Sequence, residues 1–93
     1  MKKTNPSNFS DGPWFVYIIL CHNNSLYTGI TKDVNRRFKE HATGKGAKYT
    51  KIYKPVCIVH IEEYENHSLA IKREIKIKSY PTKKKQTLHN IDI

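Results

Sequence analysis

Two apolar runs around a short polar break dominate the start of the chain, WFVYIILC over 14–21 and LYTGIT over 26–31. In the first run both alternating sets are apolar. Trp14, Val16, Ile18 and Leu20 form one set, and Phe15, Tyr17, Ile19 and Cys21 form the other. A strand that is apolar on both sides is covered on both faces, so the pattern predicts a central strand. The polar break makes the two runs a hairpin. Asp33 then suits a helix N-cap and Gly44 a C′ position. Between them Val34, Phe38 and Ala42 form one apolar stripe at ~100° per residue. Arg36 points away from that stripe, whereas Arg37 and His41, four apart, line its edge together. The segment GKGAKYTKIYK has two glycines for tight turns and a short helix expected over 47–52. Pro55 opens a third strand, VCIVHIEEY, with β-branched enrichment. Asn66 or Ser68 caps a further helix that runs to about Tyr80, where Pro81 ends or kinks it. A last short helix is expected over 82–90. The expected fold is a small α/β (α+β) domain over 13–90, a mainly antiparallel three-stranded sheet flanked by helices, with 1–12 as a flexible leader.

Composition narrows the partners. The chain has 93 residues, enough for one small domain. Its 17 lysines and arginines against 8 acidic residues give a formal charge of +9. That balance favours an anionic partner, nucleic acid first and an anionic membrane surface second. No stretch approaches the length of a membrane span. Cys21 and Cys57 lack zinc spacing and read as reduced, strand-borne core residues of a cytoplasmic protein.

The helix over 67–80 contains an anomaly. Ala70, Ile71, Ile75 and Ile77 share one arc of the helical wheel, and Glu74 falls inside it with Lys78 one turn later. A carboxylate in an apolar arc is costly unless it is paired or binds a cation. A Glu74–Lys78 pair at i, i+4 is the common structural solution; a metal ion is the functional one.

In chain order the chemistry-bearing residues are Tyr17, Tyr27, Gly29, Arg37, His41 and Glu74. With Phe15-Val16-Tyr17 and Tyr27-Thr28-Gly29 as the two triplets, DVNRRFKEH as the next helix and AIKREIKIK as the later one, the chain resembles the GIY-YIG nuclease family. It looks most like the small stand-alone bacterial members. Phe15 and Val16 stand where the family has glycine and isoleucine, while the tyrosine is kept. Asn90 is the candidate for a late asparagine found in some relatives.

The resemblance implies metal-dependent hydrolysis of phosphodiester bonds in DNA, including structured or damaged DNA. Glu74 would be the one side-chain ligand of a single Mg²⁺ or Mn²⁺ ion, which suits a cation that keeps several waters. Tyr27 would act as general base or proton relay, with Tyr17 hydrogen-bonding at the same centre and His41 supporting the proton transfer. Arg37 would hold the scissile phosphate through its fixed fork of donors. Gly29 leaves room for close approach of substrate. Lys48, Tyr49 and Lys78 are candidate substrate contacts in a basic groove that also draws on Tyr53 and Lys83, Lys84 and Lys85, with mostly sequence-independent binding. The rival reading keeps the fold as a non-catalytic DNA- or RNA-binding module, and a monomer is the default state. Taken singly, each tyrosine is more often a half-buried strand aromatic than a catalyst.

Hairpin register separates core from chemistry. If Asn23-Asn24 is a two-residue turn, Tyr17 faces Ile30 and the two tyrosines occupy opposite faces. A loop of three or five residues, or a bulge, sets Tyr17 against Gly29 and puts both tyrosines on one face.

Overall fold

The computed structural model describes residues 12–89; the expected leader up to residue 11 and Asn90 lie outside them. Strands β1 (Trp14–Cys21), β2 (Leu26–Thr31) and β3 (Pro55–Tyr64) form one antiparallel sheet of order β2-β1-β3. Helices α1 (Val34–Ala42) and α2 (Lys48–Ile52) lie between β2 and β3 in sequence. Helices α3 (His67–Lys78) and α4 (Thr82–His89) follow β3. The apolar first strand is central, and its two sides feed two cores. Val16 and Ile18 pack with Leu26, Ala70 and Ile77 beneath α3, with Leu88 of α4 at the margin. Tyr17, Ile19 and Cys21 pack with Tyr27, Val34 and Phe38 beneath α1. At about 1.5–3 kcal/mol per buried large apolar side chain, β1 is the strand whose pairing the rest of the fold can least lose.

The hairpin takes the longer turn. Cys21 N–H donates to the Ser25 carbonyl at 2.9 Å and Asn24 N–H to the Cys21 carbonyl at 2.9 Å, which leaves a three-residue loop. Asn24 sits at φ 66°, a left-handed conformation that asparagine tolerates better than most residues. Tyr17 is therefore the partner of Gly29 and Ile19 the partner of Tyr27, so both tyrosines face α1. The pairing of β1 with β3 slips twice, between Ile18 and Ile19 and between Leu20 and Cys21.

The helix caps follow the expected chemistry. Asp33 accepts from Arg36 N–H, Asn66 accepts from Leu69 N–H, and Gly44 after α1 has φ 83°. Ala42, expected in the apolar stripe of α1, is instead exposed. The stripe ends at His41, which takes the buried place in the last turn. Both cysteines are free, and Cys21 is buried, but Cys57 is exposed. It lies near the start of edge strand β3, where the adjacent Val56 is also half open to solvent.

A clamp sets the rotation of α3. Arg73 donates from Nε and Nη2 to the two oxygens of Glu62 on β3, at 2.8 and 3.0 Å. His60 and the Tyr64 hydroxyl each reach the same carboxylate at 2.8 Å. With Arg73 held toward β3, the next residue points ~100° further round the helix, and that residue is Glu74. Burial pushes the Glu62 carboxyl up, but the bonds from Arg73, His60 and Tyr64 outweigh it and hold the group at about 2, against an ordinary 4.5. A depressed carboxyl stabilises the fold fully above the unfolded value and loses that contribution as pH falls through the folded one. Glu62→Gln is expected to lower stability near neutral pH by about 1–3 kcal/mol, since hydrogen bonds to a charged group are worth that much. It should also flatten the loss of stability between pH 4.5 and 2, as read from urea unfolding at a series of pH values.

Candidate active site

The register of β1 and β2 builds the floor of the site. A Cβ on Gly29 would fall 2.6 Å from the Tyr17 hydroxyl, so the phenol lies across the bare Cα of its strand partner. From there the Tyr17 hydroxyl meets His41 Nε2 at 2.8 Å. On the other side of the ring, His41 Nδ1 meets Thr50 Oγ1 at 2.8 Å, and Thr50 Oγ1 donates to the Ala47 carbonyl at 2.8 Å. Tyr17, His41 and Thr50 are each only 1% exposed. This is a buried polar chain from β1 through α1 to α2, and each link has a partner.

Hydrogen directions in the chain follow from its far end. The Thr50 hydroxyl has one proton and places it on the Ala47 carbonyl, so toward His41 it accepts. His41 Nδ1 is then the protonated nitrogen, and Nε2 accepts from the Tyr17 hydroxyl. The Ala47 N–H, 3.3 Å from Nδ1, can only donate and so opposes this arrangement, but it is the longer contact, and the two 2.8 Å bonds through Thr50 decide the direction. Gly46 makes the wrap possible, because a Cβ there would overlap the imidazole and the Cα of His41.

Electrostatics agree with a neutral chain. Burial, then the nearby Arg37 cation, pushes the His41 pKa below its ordinary 6.5, so the ring is uncharged at neutral pH. Acidification therefore costs stability as pH falls below 6.5, because the unfolded chain takes up that proton first. Burial, and next the neighbouring Tyr27 phenol, push the Tyr17 hydroxyl up to about 12, against the pull of Arg37 beside it. Glu74 adds a smaller push in the same direction, so its carboxylate is close enough to act on Tyr17 from α3.

The remaining candidates surround this chain. Tyr27 stands edge-on to the His41 ring, centroids 5.1 Å apart, and 6.4 Å from Tyr17. Arg37 is half-buried and donates from Nη1 to Glu40 at 2.7 Å, while Arg36 is solvated as expected. Glu74 is 19% exposed and pairs with Lys78 at 3.1 Å, the i, i+4 solution open to it from the sequence. Tyr49 stacks on Tyr27 at 6.0 Å and reaches Ser25 with its hydroxyl, which ties α2 to the hairpin. Lys78 joins Tyr27 and Tyr49 in the wall of a cleft. Lys48 lies on the exposed side of α2. The structure thus gathers Tyr17, Tyr27, Arg37 and His41 on one face around Gly29, with Glu74 within electrostatic reach.

Thr50 and Gly46 are neighbours of His41 that periodicity did not reveal. The available signal was the histidine itself: a ring on the buried edge of α1 needs a partner on each nitrogen. The connector GKGAKYT, with two glycines before a threonine, was the segment able to fold back and supply one.

Thr50→Val keeps the volume of the side chain and removes its hydroxyl. It should free Nδ1 of its acceptor and mix the two tautomers, read as movement of the His41 imidazole ¹⁵N shifts toward averaged values. Thr50→Ser should retain the wild-type pattern. Wild-type shifts that already report Nε2 protonation would contradict the assigned direction.

Comparison with known proteins places the chain. Residues 13–87 match the family described as the GIY-YIG catalytic domain. A UPF0213 protein of Staphylococcus aureus is 54% identical over 74 residues, covering 80% of this chain and 90% of its own. The solution structure of a UPF0213 protein from Bacillus halodurans is similar with a TM-score of 0.54 at 40% identity, covering 83% of this chain and 82% of that one. That of the protein EF2693 from E. faecalis has a TM-score of 0.57 at 32% identity, covering 90% and 94%. With its two triplets on paired strands and a family match over nearly all of the described fold, this chain belongs to the GIY-YIG family, among its small stand-alone members.

Proposed function

We propose that the protein is a metal-dependent endonuclease that hydrolyses phosphodiester bonds in DNA, structured or damaged DNA included, without marked sequence preference. The observation that carries this reading is the gathering of two tyrosines, an arginine and a histidine around Gly29, with the Glu74 carboxylate in electrostatic range. GIY-YIG domains are generally nucleases, which supports the reaction class. A +9 chain with exposed lysines on α2, α3 and α4 supports the polyanionic substrate.

The donor set fits one hard divalent cation. Among the described residues no three His, Cys, Asp or Glu side chains cluster as a cage. Glu74 offers a single carboxylate, which suits Mg²⁺ or Mn²⁺ with water in the remaining positions and does not suit a closed zinc site. When bound, such an ion would supply Lewis acidity toward a phosphate oxygen and ease ionisation beside it.

The side chains divide the remaining work. Arg37 orients the scissile phosphate and offsets the charge that grows on it, as a planar guanidinium does for phosphate oxygens. Tyr27 is less buried than Tyr17 and takes, or relays, the proton of the attacking water. Tyr17 remains a neutral phenol, since its hydroxyl is pushed to about 12. It therefore positions by hydrogen bonding, and the His41 Nε2 lone pair behind it can receive a proton passed inward. Thr50 holds His41 in the tautomer that keeps this lone pair available.

One observation favours the rival reading, a nucleic-acid-binding module without catalysis. Lys78 sits 3.1 Å from the carboxylate that a metal would need. Nicking of supercoiled plasmid separates the two. Wild type with Mg²⁺ should nick, and chelator should stop it. Glu74→Ala and Arg37→Ala should each lower the rate at least ~100-fold, the scale of losing one transition-state contact, with thermal unfolding little changed. Equal nicking by Glu74→Ala and wild type would overturn the assignment.

A further inference from the structure

Beside the reacting centre lies a cleft of about 360 Å³. Tyr27, Tyr49, Lys78 and Lys85 line it, together with Ser25, Leu26 and Thr28. From Tyr27 an aromatic surface continues outward. Tyr49 stacks on Tyr27 with planes 25° apart, and Tyr53 follows at 5.0 Å from Tyr49. Tyr49 and Tyr53 are 36% and 39% exposed. A tyrosine that only ties α2 to the hairpin gains by burying both faces, yet these two keep ring surface open to water.

We infer that this cleft holds one unpaired nucleotide next to the scissile phosphate, its base on the tyrosine surface and its phosphate toward Lys78 and Lys85. The enzyme then selects strands with an exposed base, such as single strands, flaps and frayed ends, over continuous duplex. This rests on the nuclease reading for the word scissile, and on the cleft alone for the binding preference.

The size and the chemistry point the same way. The volume is in the range of pockets that take one small molecule. Stacking on tyrosine needs a base with a free face, and in a duplex both faces are covered by neighbours. Extracting a paired base costs a few kcal/mol, whereas a single strand offers it at almost no cost. Base–aromatic stacking is worth ~1–3 kcal/mol per base and tolerates any base. The lysines supply the sequence-independent attraction that brings the backbone there.

The test uses the full chain with Glu74→Ala, so that nothing is cut, and three probes at one salt concentration. These are a 12-nucleotide DNA strand carrying 2-aminopurine, the RNA strand of the same sequence, and a blunt DNA duplex of equal phosphate count. One of the single strands should bind at least ~10-fold tighter than the duplex and should change 2-aminopurine emission on binding. The tighter of the two names the sugar. Adding Tyr53→Leu or Tyr49→Leu should weaken single-strand binding ~5- to 100-fold, the span of one stacking contact, and leave duplex binding within about twofold. Duplex binding equal to or tighter than both single strands would overturn the inference, as would leucine variants that bind single strands unchanged. A parallel assay of wild type with Mg²⁺ on flapped and fully paired DNA keeps the two readings apart. Cleavage of both at one rate defeats the cleft assignment alone. Absence of all cleavage with a retained, tyrosine-dependent single-strand preference defeats the nuclease reading and bears out the cleft.

Discussion

One extra residue in the turn between Cys21 and Leu26 decides which side of the sheet the hairpin tyrosines occupy. A two-residue loop would have sent Tyr17 toward α1 and Tyr27 toward α3. The three-residue loop, closed by the Cys21–Ser25 bond and the left-handed Asn24, aligns Tyr17 with Gly29. Everything at the site depends on that alignment. The phenol can lie flat only where the partner strand has no side chain. From that position it reaches His41, and His41 in turn fixes how α2 wraps behind α1.

The buried polar chain decides the protonation pattern. Three groups that each prefer water are taken almost wholly out of it, so each must find a partner or lose stability on the order of 1–3 kcal/mol. They find one another, and the terminal proton goes to a helix-end carbonyl. The same burial that made partnering compulsory keeps the histidine uncharged and the Tyr17 phenol un-ionised. Arg37 strengthens the first effect and opposes the second.

Most of the fold was legible because its signals were local and redundant. The doubly apolar β1, the Asp33 and Asn66 caps, the Gly44 stop and Pro81 each specify their own neighbourhood. The pairing of Glu74 with Lys78 and the contrast between Arg36 and Arg37 followed from helical periodicity. What escaped was set by tertiary closure. Asn23-Asn24 favours the short turn by local chemistry, and the sheet's two cores override it. Thr50 reaches His41 across a glycine connector that no periodicity describes. Cys57 looked like a core residue in an apolar run, but the strand carrying it starts at an edge, where its side is uncovered. The partnership of Arg73 with Glu62, eleven residues away on another element, was equally out of reach, although it directs the neighbouring Glu74.

Whether the Tyr17 hydroxyl is chemistry or packing is tested most directly by Tyr17→Phe, which keeps the ring over Gly29 and removes one oxygen. Single-turnover cleavage with Mg²⁺ should fall at least ~100-fold, as for loss of one group acting on the reacting centre, while substrate affinity stays close to wild type and stability falls by only about 1–3 kcal/mol, the cost of leaving the buried His41 nitrogen without its partner. Cleavage at the wild-type rate by Tyr17→Phe would contradict the account and return the residue to the core.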